Sequence, residues 1–170
     1  MKSMLEPGLL YFAYGCNMDR ELLAGVLDRD PGPGQAARLD DWRLAFNKGG
    51  EGGAGWRIVA NLMEAQGCVV YGVVYRLPAD RLKRLDEFEG VPHHYRRTTV
   101  WVEPLRRRAA QAALAYLAQS GHLVTEGEPH PEYLGHLLRG GAAHGCPAAY
   151  LDWLRDLARG DARECFRPID

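Results

Sequence analysis

The order of strand and helix patterns along the chain constrains its fold more than any other feature. Short runs rich in β-branched and aromatic residues, typical of strands, come before the two longest amphipathic helical patterns. They predict strands at residues 9–14, 38–47, 56–63, 68–75, 95–102 and 112–118. Because strands and helices do not alternate as in a doubly wound sheet, the pattern predicts an α+β fold, a mixed, mostly antiparallel sheet or small barrel flanked by α-helices.

Helices are indicated by apolar residues at three- and four-residue spacing. Asp19 can cap a helix at residues 20–27, and Pro78 can occupy the first turn of a helix that ends at Gly90. Two further apolar stripes lie near the C-terminus, at residues 133–138 and 150–157. We expect Gly140-Gly141, together with residues 145–147, to separate these two helices.

Length and charge narrow the class of protein. The chain has 170 residues, which suits one domain over residues 1–170. The formal net charge of −1 at pH 7 argues against a nucleic-acid or anionic-membrane partner, which needs clustered Lys and Arg. No run approaches the ~18 apolar residues of a membrane span, and residues 1–8 lack a signal-peptide pattern. These features predict a soluble, cytoplasmic protein.

The cysteines show no recognisable framework. Cys16, Cys68, Cys146 and Cys165 form no CxxC pair and no series of short spacings. We therefore expect them to be core residues or reduced thiols, as in a cytosolic protein.

Three motif-bearing segments occur in a fixed order. Residues 11–18 read Tyr-Phe-Ala-Tyr-Gly-Cys-Asn-Met, and residues 85–91 read Leu-Asp-Glu-Phe-Glu-Gly-Val, with Tyr-Arg-Arg at 95–97. Residues 131–150 hold a Pro-Glu-Tyr-Leu sequence, a Leu-Leu pair and a Gly-Gly-Ala sequence. Residues 59–62 and 71–75 fit the same pattern. From residue 9 to residue 157, the order and spacing of these segments resemble the gamma-glutamylcyclotransferase family.

The resemblance implies a compact mixed barrel with flanking helices and an enzyme without cofactor or metal. It implies release of 5-oxoproline from a small gamma-glutamyl substrate, with Glu89 as the catalytic acid and base. It also implies substrate contacts by the residues of the first motif and by one tyrosine of the third: Tyr11, Phe12, Ala13, Tyr14, Gly15, Cys16, Asn17 and Tyr133. A homodimer is left open, and so is the identity of the leaving amine, which depends on loops at residues 49–55 and 122–130.

The residue types suit this chemistry. The segment 14–17 lies between a predicted strand and a predicted helix N-terminus, where backbone N–H groups can bind a carboxylate or an oxyanion. Gly15 tolerates backbone angles that other residues resist. A free Glu has a pKa of ~4.3, too low for an efficient base near neutral pH, and burial of Glu89 would raise it. Glu87, two residues earlier, is interpreted as structural.

Two alternatives compete with this interpretation. Cys16 stands where the family usually has Ser, in a turn whose helix N-terminus could lower a thiol pKa. With His93 or His94 it could form the nucleophile pair of an amidase. The second alternative is a module that only binds a ligand or partner, since fold alone does not imply function.

Other patterns are interpreted as structural. Residues 50–55 fit GxGxxG, but a strand rather than a helix is predicted after them, so a mobile loop is favoured over a dinucleotide site. His130, His136 and His144 lack the spacing of zinc ligands, and we expect surface or hydrogen-bonded histidines there and at His93-His94. Arg106-Arg107-Arg108 is expected to form a solvated turn.

Overall fold

The fold is built on a closed barrel. The structure is a computed structural model that describes residues 8–50, 56–162 and 165–169. Within these ranges the strands are β1 (Leu9–Ala13), β2 (Gln35–Gly49), β3 (Ile58–Leu77), β4 (Tyr95–Pro104) and β5 (Gln111–Ala118), and the α-helices are α1 (Arg20–Leu27), α2 (Leu82–Glu89), α3 (Pro131–His144) and α4 (Ala148–Ala158). The strands follow one another around the barrel in the order β1-β3-β2-β4-β5.

Strand direction confirms the mixed, mostly antiparallel barrel flanked by helices. β1 pairs with β3, β3 with β2, β2 with β4 and β4 with β5, all antiparallel. The barrel closes through a parallel pairing of β1 with β5, at Tyr11 and Leu114. None of the helices in the described ranges combines the length and apolarity needed to cross a bilayer.

The strands predicted at 56–63 and 68–75 are one strand, so their separation was wrong. The segment at residues 64–67 stays within β3, which remains paired with β2 through a register shift between Asp40 and Trp42. Asp41 and Gly67 adopt positive φ angles of 64° and 80°, and the Gly67 N–H donates to the Asp41 carboxylate at 2.8 Å. A bulge of this kind bends a strand without ending it.

The prediction that Gly140-Gly141 interrupts the C-terminal helices was also wrong. α3 runs through both glycines and ends at His144, and Gly145 caps it with a φ of 90°. A Cβ atom at Gly140 would lie 2.2 Å from the Met18 carbonyl carbon and oxygen. These glycines are therefore packing residues, because the missing side chain lets the helix approach the segment after β1.

The cysteine prediction was wrong for two of the four residues. Cys68 on β3 forms a disulfide with Cys165, 97 residues later in the chain, whereas Cys16 and Cys146 are free and buried. The C-terminal segment lies along β3, where the Val69 N–H donates to the Phe166 carbonyl at 2.9 Å. The proximity of Cys165 to Cys68 depends on tertiary structure, so the spacing of cysteines along the sequence does not reveal it.

Candidate active site

A cavity of about 410 Å³ opens between the segment after β1 and the end of α2. This volume is in the range of roughly 300–1,000 Å³ usual for small-molecule sites. Its wall combines aromatic rings, a short glycine-containing loop and few charged groups. The lining residues are Tyr11, Tyr14, Gly15, Cys16, Asn17, Lys48, Gly50, Trp56, Val59, Ala60, Glu87, Phe88, Glu89, Gly90, His94, Tyr95, Tyr116 and Tyr133.

The loop after β1 is a tight turn held by neighbours. Cys16–Met18 form a single 3₁₀ turn, and Asp19 caps α1 by accepting from the Glu21 N–H at 3.1 Å. The Met18 carbonyl accepts from the Tyr75 hydroxyl at 3.0 Å. Together with the packing of Gly140 on Met18, these contacts fix the backbone of the loop against the barrel.

Asn17 connects the loop to the acidic residue of α2. Its side chain is buried, with 2% exposed, and its amide donates to the Tyr11 hydroxyl at 3.1 Å. The same amide nitrogen lies 3.4 Å from Oε1 of Glu89. Its Oδ1 is buried and has no hydrogen-bond partner among the described residues. Since buried acceptors are normally paired, this oxygen can accept a hydrogen bond from a bound molecule.

Glu89 is the last residue of α2 and points into the cavity wall. Gly90 follows with φ 66° and ends the helix. Burial is the largest influence on the carboxyl and raises its pKa to about 8; Lys48 opposes the shift, and Asp86 adds to it. Such a pKa suits a group that exchanges a proton near neutral pH.

Tyrosine hydroxyls frame the cavity and are tied to backbone groups. Tyr14 donates to the Tyr116 carbonyl at 2.5 Å, and Tyr95 donates to the Ala60 carbonyl at 2.8 Å. The Tyr133 hydroxyl accepts from the Ala60 N–H at 3.0 Å. Burial raises the pKa values of these three tyrosines well above their ordinary range. Their hydroxyls therefore stay neutral, and their rings form fixed parts of the cavity wall.

A polar cluster fixes α2 against the barrel. Asp86, three residues before Glu89, accepts from the Tyr116 hydroxyl at 2.7 Å and pairs with Arg97 of β4. The Arg97 hydrogen bond is the largest influence on Asp86 and lowers the pKa of its carboxyl. Since Tyr116 also lines the cavity, the cluster holds the Glu89 end of the helix at a fixed place.

Cys16 does not have the environment of a nucleophile. Burial, followed by the nearby Glu89 carboxyl, raises the pKa of its thiol far above the ordinary value, and the neighbouring backbone N–H groups only partly offset this. His94 is engaged with Lys48, at 2.9 Å between Nδ1 and Nζ. A protonated thiol is a poor nucleophile, so these contacts do not favour a Cys–His pair.

The structure brings most of the predicted site residues together. Seven of them line the cavity: Tyr11, Tyr14, Gly15, Cys16, Asn17, Glu89 and Tyr133. Phe12 and Ala13 do not line it. Both are buried, and Phe12 packs beside Gly72 of β3, where an added Cβ would lie 2.6 Å from its ring. Neighbouring residues of a strand face opposite sides, so Phe12 points away from the side on which Tyr11 borders the cavity.

Sequence reasoning missed several lining residues. Lys48, Trp56 and Tyr116 come from three strands or their flanks, and only closure of the barrel brings them together. His94, interpreted as a surface or hydrogen-bonded histidine, is hydrogen-bonded and also lines the cavity. Residues 51–55 of the loop predicted at 49–55 lie outside the described residues, and they include most of the GxGxxG pattern.

The histidines and other possible ligands do not gather into a metal centre in the part of the chain that the structure describes. No group of three His, Cys, Asp or Glu side chains there is arranged to hold a metal ion. His136 instead bonds Asp19 at 2.8 Å, and His144 bonds the Gly140 carbonyl at 2.7 Å.

Comparison with known proteins identifies the family. The model of the AIG2-like family matches residues 69–154. Gamma-glutamylcyclotransferase of Homo sapiens is 30% identical over 163 residues, which cover 92% of this chain and 82% of that protein. The Bos taurus gamma-glutamylcyclotransferase is 27% identical over 168 residues, or 95% of this chain and 85% of that protein. A solved structure named gamma-glutamyl cyclotransferase superposes with a TM-score of 0.75 at 27% identity, covering 87% of this chain and 86% of that one. The chain therefore belongs to the AIG2-like, gamma-glutamylcyclotransferase family of enzymes.

Proposed function

We propose that this protein releases 5-oxoproline from a gamma-glutamyl amino acid, peptide or amine, with Glu89 as the general acid and base. One observation carries the proposal. The Glu89 carboxyl, with a pKa of about 8, lies in the cavity wall within 3.4 Å of Asn17, which belongs to the glycine-containing loop. Proton transfer and substrate binding can therefore occur in one cavity.

The reaction is an internal aminolysis. Ionised Glu89 takes one proton from the α-ammonium of the substrate, and the freed amine nitrogen attacks its own γ-carbonyl carbon. A lactam C–N bond forms, the negative charge moves to the carbonyl oxygen, and collapse of this intermediate breaks the original amide C–N bond. Glu89 gives its proton to the leaving nitrogen as this bond breaks. The second proton that the attacking nitrogen must lose passes through the freed Glu89 carboxylate to the released amine. 5-Oxoproline and a protonated amine then leave the enzyme, and no atom is added.

Binding and orientation supply a large part of the rate. Nucleophile and electrophile belong to one molecule, so the cavity must hold the glutamyl chain folded, an effect that can contribute roughly 7–11 kcal/mol. Asn17 Oδ1, buried without a partner among the described residues, can accept from the α-ammonium beside Glu89. The loop at Gly15 and Cys16 borders the same cavity and supports backbone contacts to the carboxylate or the oxyanion.

We predict that kcat/KM rises with pH up to about pH 8, where Glu89 titrates. The sign follows from its role, because only the ionised carboxylate can take the α-ammonium proton. Below this pH the ionised fraction falls about tenfold per unit, and kcat/KM falls with it. A pH profile of 5-oxoproline release measures the acidic limb. If the acidic limb were instead centred near pH 4.5, the ordinary pKa of Glu, the group that takes the proton would not be a buried Glu89 with a raised pKa.

We expect Cys16→Ser to retain turnover within a few-fold of the wild type. The thiol is buried and protonated, and serine is close to it in size, so the cavity keeps its shape. Steady-state kinetics with one gamma-glutamyl substrate provide the measurement. An amidase that depends on Cys16 as nucleophile would instead lose nearly all activity in this variant.

The test of the proposal is direct. A panel of gamma-glutamyl amino acids, peptides and amines is incubated with the purified protein, and 5-oxoproline is quantified. Release from at least one member at a rate proportional to enzyme concentration supports the proposal. If every member binds but none is converted, the alternative of a module that only binds its ligand is favoured.

A further inference from the structure

Trp56 brings an unused hydrogen-bond donor to the wall of the cavity. The residue lies two positions before β3 and is one of the lining residues. Nε1 of its indole is buried and has no hydrogen-bond partner among the described residues. A buried polar group without a partner is costly, and native structures seldom leave one unpaired. We therefore expect this N–H group to bond a molecule that enters the cavity.

The indole ring of Trp56 is held in place by two other rings. It meets the Tyr133 ring edge to face with 5.0 Å between centres, and the His136 ring with 5.7 Å between centres. Both neighbours are themselves anchored, Tyr133 by the Ala60 N–H and His136 by the Asp19 carboxylate. A side chain fixed in this way loses little conformational entropy when it binds a ligand.

Tyr133 connects Trp56 to the loop after β1. A Cβ atom added at Gly15 would lie 2.8 Å from the Tyr133 hydroxyl, so this hydroxyl is in close contact with the loop backbone. Because Trp56 packs on the same tyrosine, its indole lies on the side of the cavity that the loop forms. The loop is the part of the wall that the proposed function assigns to the glutamyl group.

The unpaired side-chain atoms of the cavity match the polar groups of a glutamyl chain. Among the described lining residues, Asn17 Oδ1 is a buried acceptor without a partner, and Trp56 Nε1 is a buried donor without one. The α-ammonium of the substrate can only donate, so it suits Asn17. An indole N–H can only donate as well, so it requires an oxygen, either of the α-carboxylate or of the γ-carbonyl.

We propose that Trp56 is a further substrate-binding residue, whose indole N–H donates to an acceptor oxygen of the glutamyl group. The inference rests on the proposed function and adds a named donor to its substrate site. The two candidate oxygens share this chemistry but differ in when the bond matters. The α-carboxylate is charged before reaction, whereas the γ-carbonyl oxygen gains its charge in the transition state.

A matched substrate pair tests the proposal with Trp56→Phe, which removes the N–H and keeps an aromatic ring. Gamma-glutamylethylamide and gamma-aminobutyrylethylamide differ only by the α-carboxylate, and neither has a carboxylate on the leaving amine. A bond to the α-carboxylate predicts a loss of kcat/KM of roughly 10- to 100-fold with the first compound, through KM, and little loss with the second. A bond to the γ-carbonyl oxygen predicts a similar loss with both compounds, through kcat.

Two outcomes of these kinetics would overturn the proposal. Unchanged kinetics in Trp56→Phe would show that the N–H does not contact the substrate, and an equal rise in KM alone with both compounds would indicate only lost packing. Trp101→Phe is the matched control, because Trp101 of β4 is 68% exposed and is not a lining residue. It should leave the kinetics of both compounds unchanged.

A binding measurement separates this inference from the proposed function. Calorimetric titration of both compounds into Glu89→Gln, with and without Trp56→Phe, measures binding without turnover. Tighter binding of gamma-glutamylethylamide that is lost with Trp56→Phe supports the inference even if the wild type releases no 5-oxoproline, a result that would refute the proposed function alone. Release of 5-oxoproline by the wild type, with neither binding nor turnover changed by Trp56→Phe, would refute the inference alone.

Nuclear magnetic resonance tests the contact without any change at Trp56. The chain has four tryptophans, and each gives one indole N–H signal. The Trp56 signal is assigned by replacing the other three tryptophans in turn. We expect saturating gamma-glutamylethylamide to move this signal of Glu89→Gln downfield, because the indole N–H gains a hydrogen bond. An unmoved signal would contradict the proposed contact.

Discussion

Glu89→Gln is expected to lower kcat for 5-oxoproline release by about 10²- to 10⁴-fold, the usual contribution of a general acid and base. The amide has nearly the same shape and can keep its contact with Asn17, but it cannot take the proton of the substrate ammonium. Substrate binding should change much less than kcat. Steady-state kinetics, combined with direct binding measurements, separate the two effects.

Glu87→Gln is the matched control for this variant. Glu87 lies on the same helix, two residues earlier, and its side chain is exposed. Removing its charge should have a small effect, as for most solvated surface carboxylates. If Glu89→Gln retained full turnover, or if Glu87→Gln lost as much activity, Glu89 would not be the proton-transfer group.

Thermal melting tests whether the loss of activity in Glu89→Gln is caused by unfolding. Burial raises the pKa of Glu89 from an ordinary 4.5 to about 8, so the folded state holds this proton more tightly than the unfolded state. The associated stability is fully present below pH 4.5 and is lost as the pH rises through about 8. Glutamine cannot ionise, and we therefore expect Glu89→Gln to melt at a higher temperature than the wild type at pH 9.

Gly140→Ala is expected to destabilise the fold by at least about 2 kcal/mol. Its Cβ would lie 2.2 Å from the Met18 carbonyl and 2.5 Å from the Asp19 nitrogen, and backbone atoms cannot rotate away. α3 must then move off the loop that carries Gly15 and Asn17. Since small misplacements of binding groups are costly, turnover should also fall in the fraction that remains folded. Chemical denaturation measures the first effect, and kinetics below the transition measure the second.

Gly25→Ala provides the control for helix propensity. Gly25 lies within α1, and apart from its chain neighbours and the backbone of α1 itself, no atom of the described residues lies within 4 Å of the position that its Cβ would take. Alanine should stabilise this helix by roughly 0.5–1 kcal/mol, because glycine loses more backbone freedom on folding. If the two variants had equal stability, the tight contact between Gly140 and Met18 would not be important.

Local sequence patterns were sufficient to predict the elements that surround the site. The helix at residues 20–27 and the end of α2 at Gly90 occur where capping and glycine signals placed them. The predicted break at residues 64–67 failed, because pairing with β2 keeps that segment in β3. The helix break predicted at Gly140 was also wrong, because this glycine allows close packing on Met18 and does not end the helix.

The sequence by itself determined the α+β class and the loop at residues 14–17, since strand and helix periods and turn residues are local properties of the chain. Its resemblance to the family singled out Glu89 as the proposed catalytic residue. Only the tertiary structure decided that Lys48, Trp56 and Tyr116 share a cavity with Glu89, and that Cys68 meets Cys165. These groups come from distant parts of the chain. Barrel closure and strand register set their proximity, and both depend on long-range packing that no short pattern records.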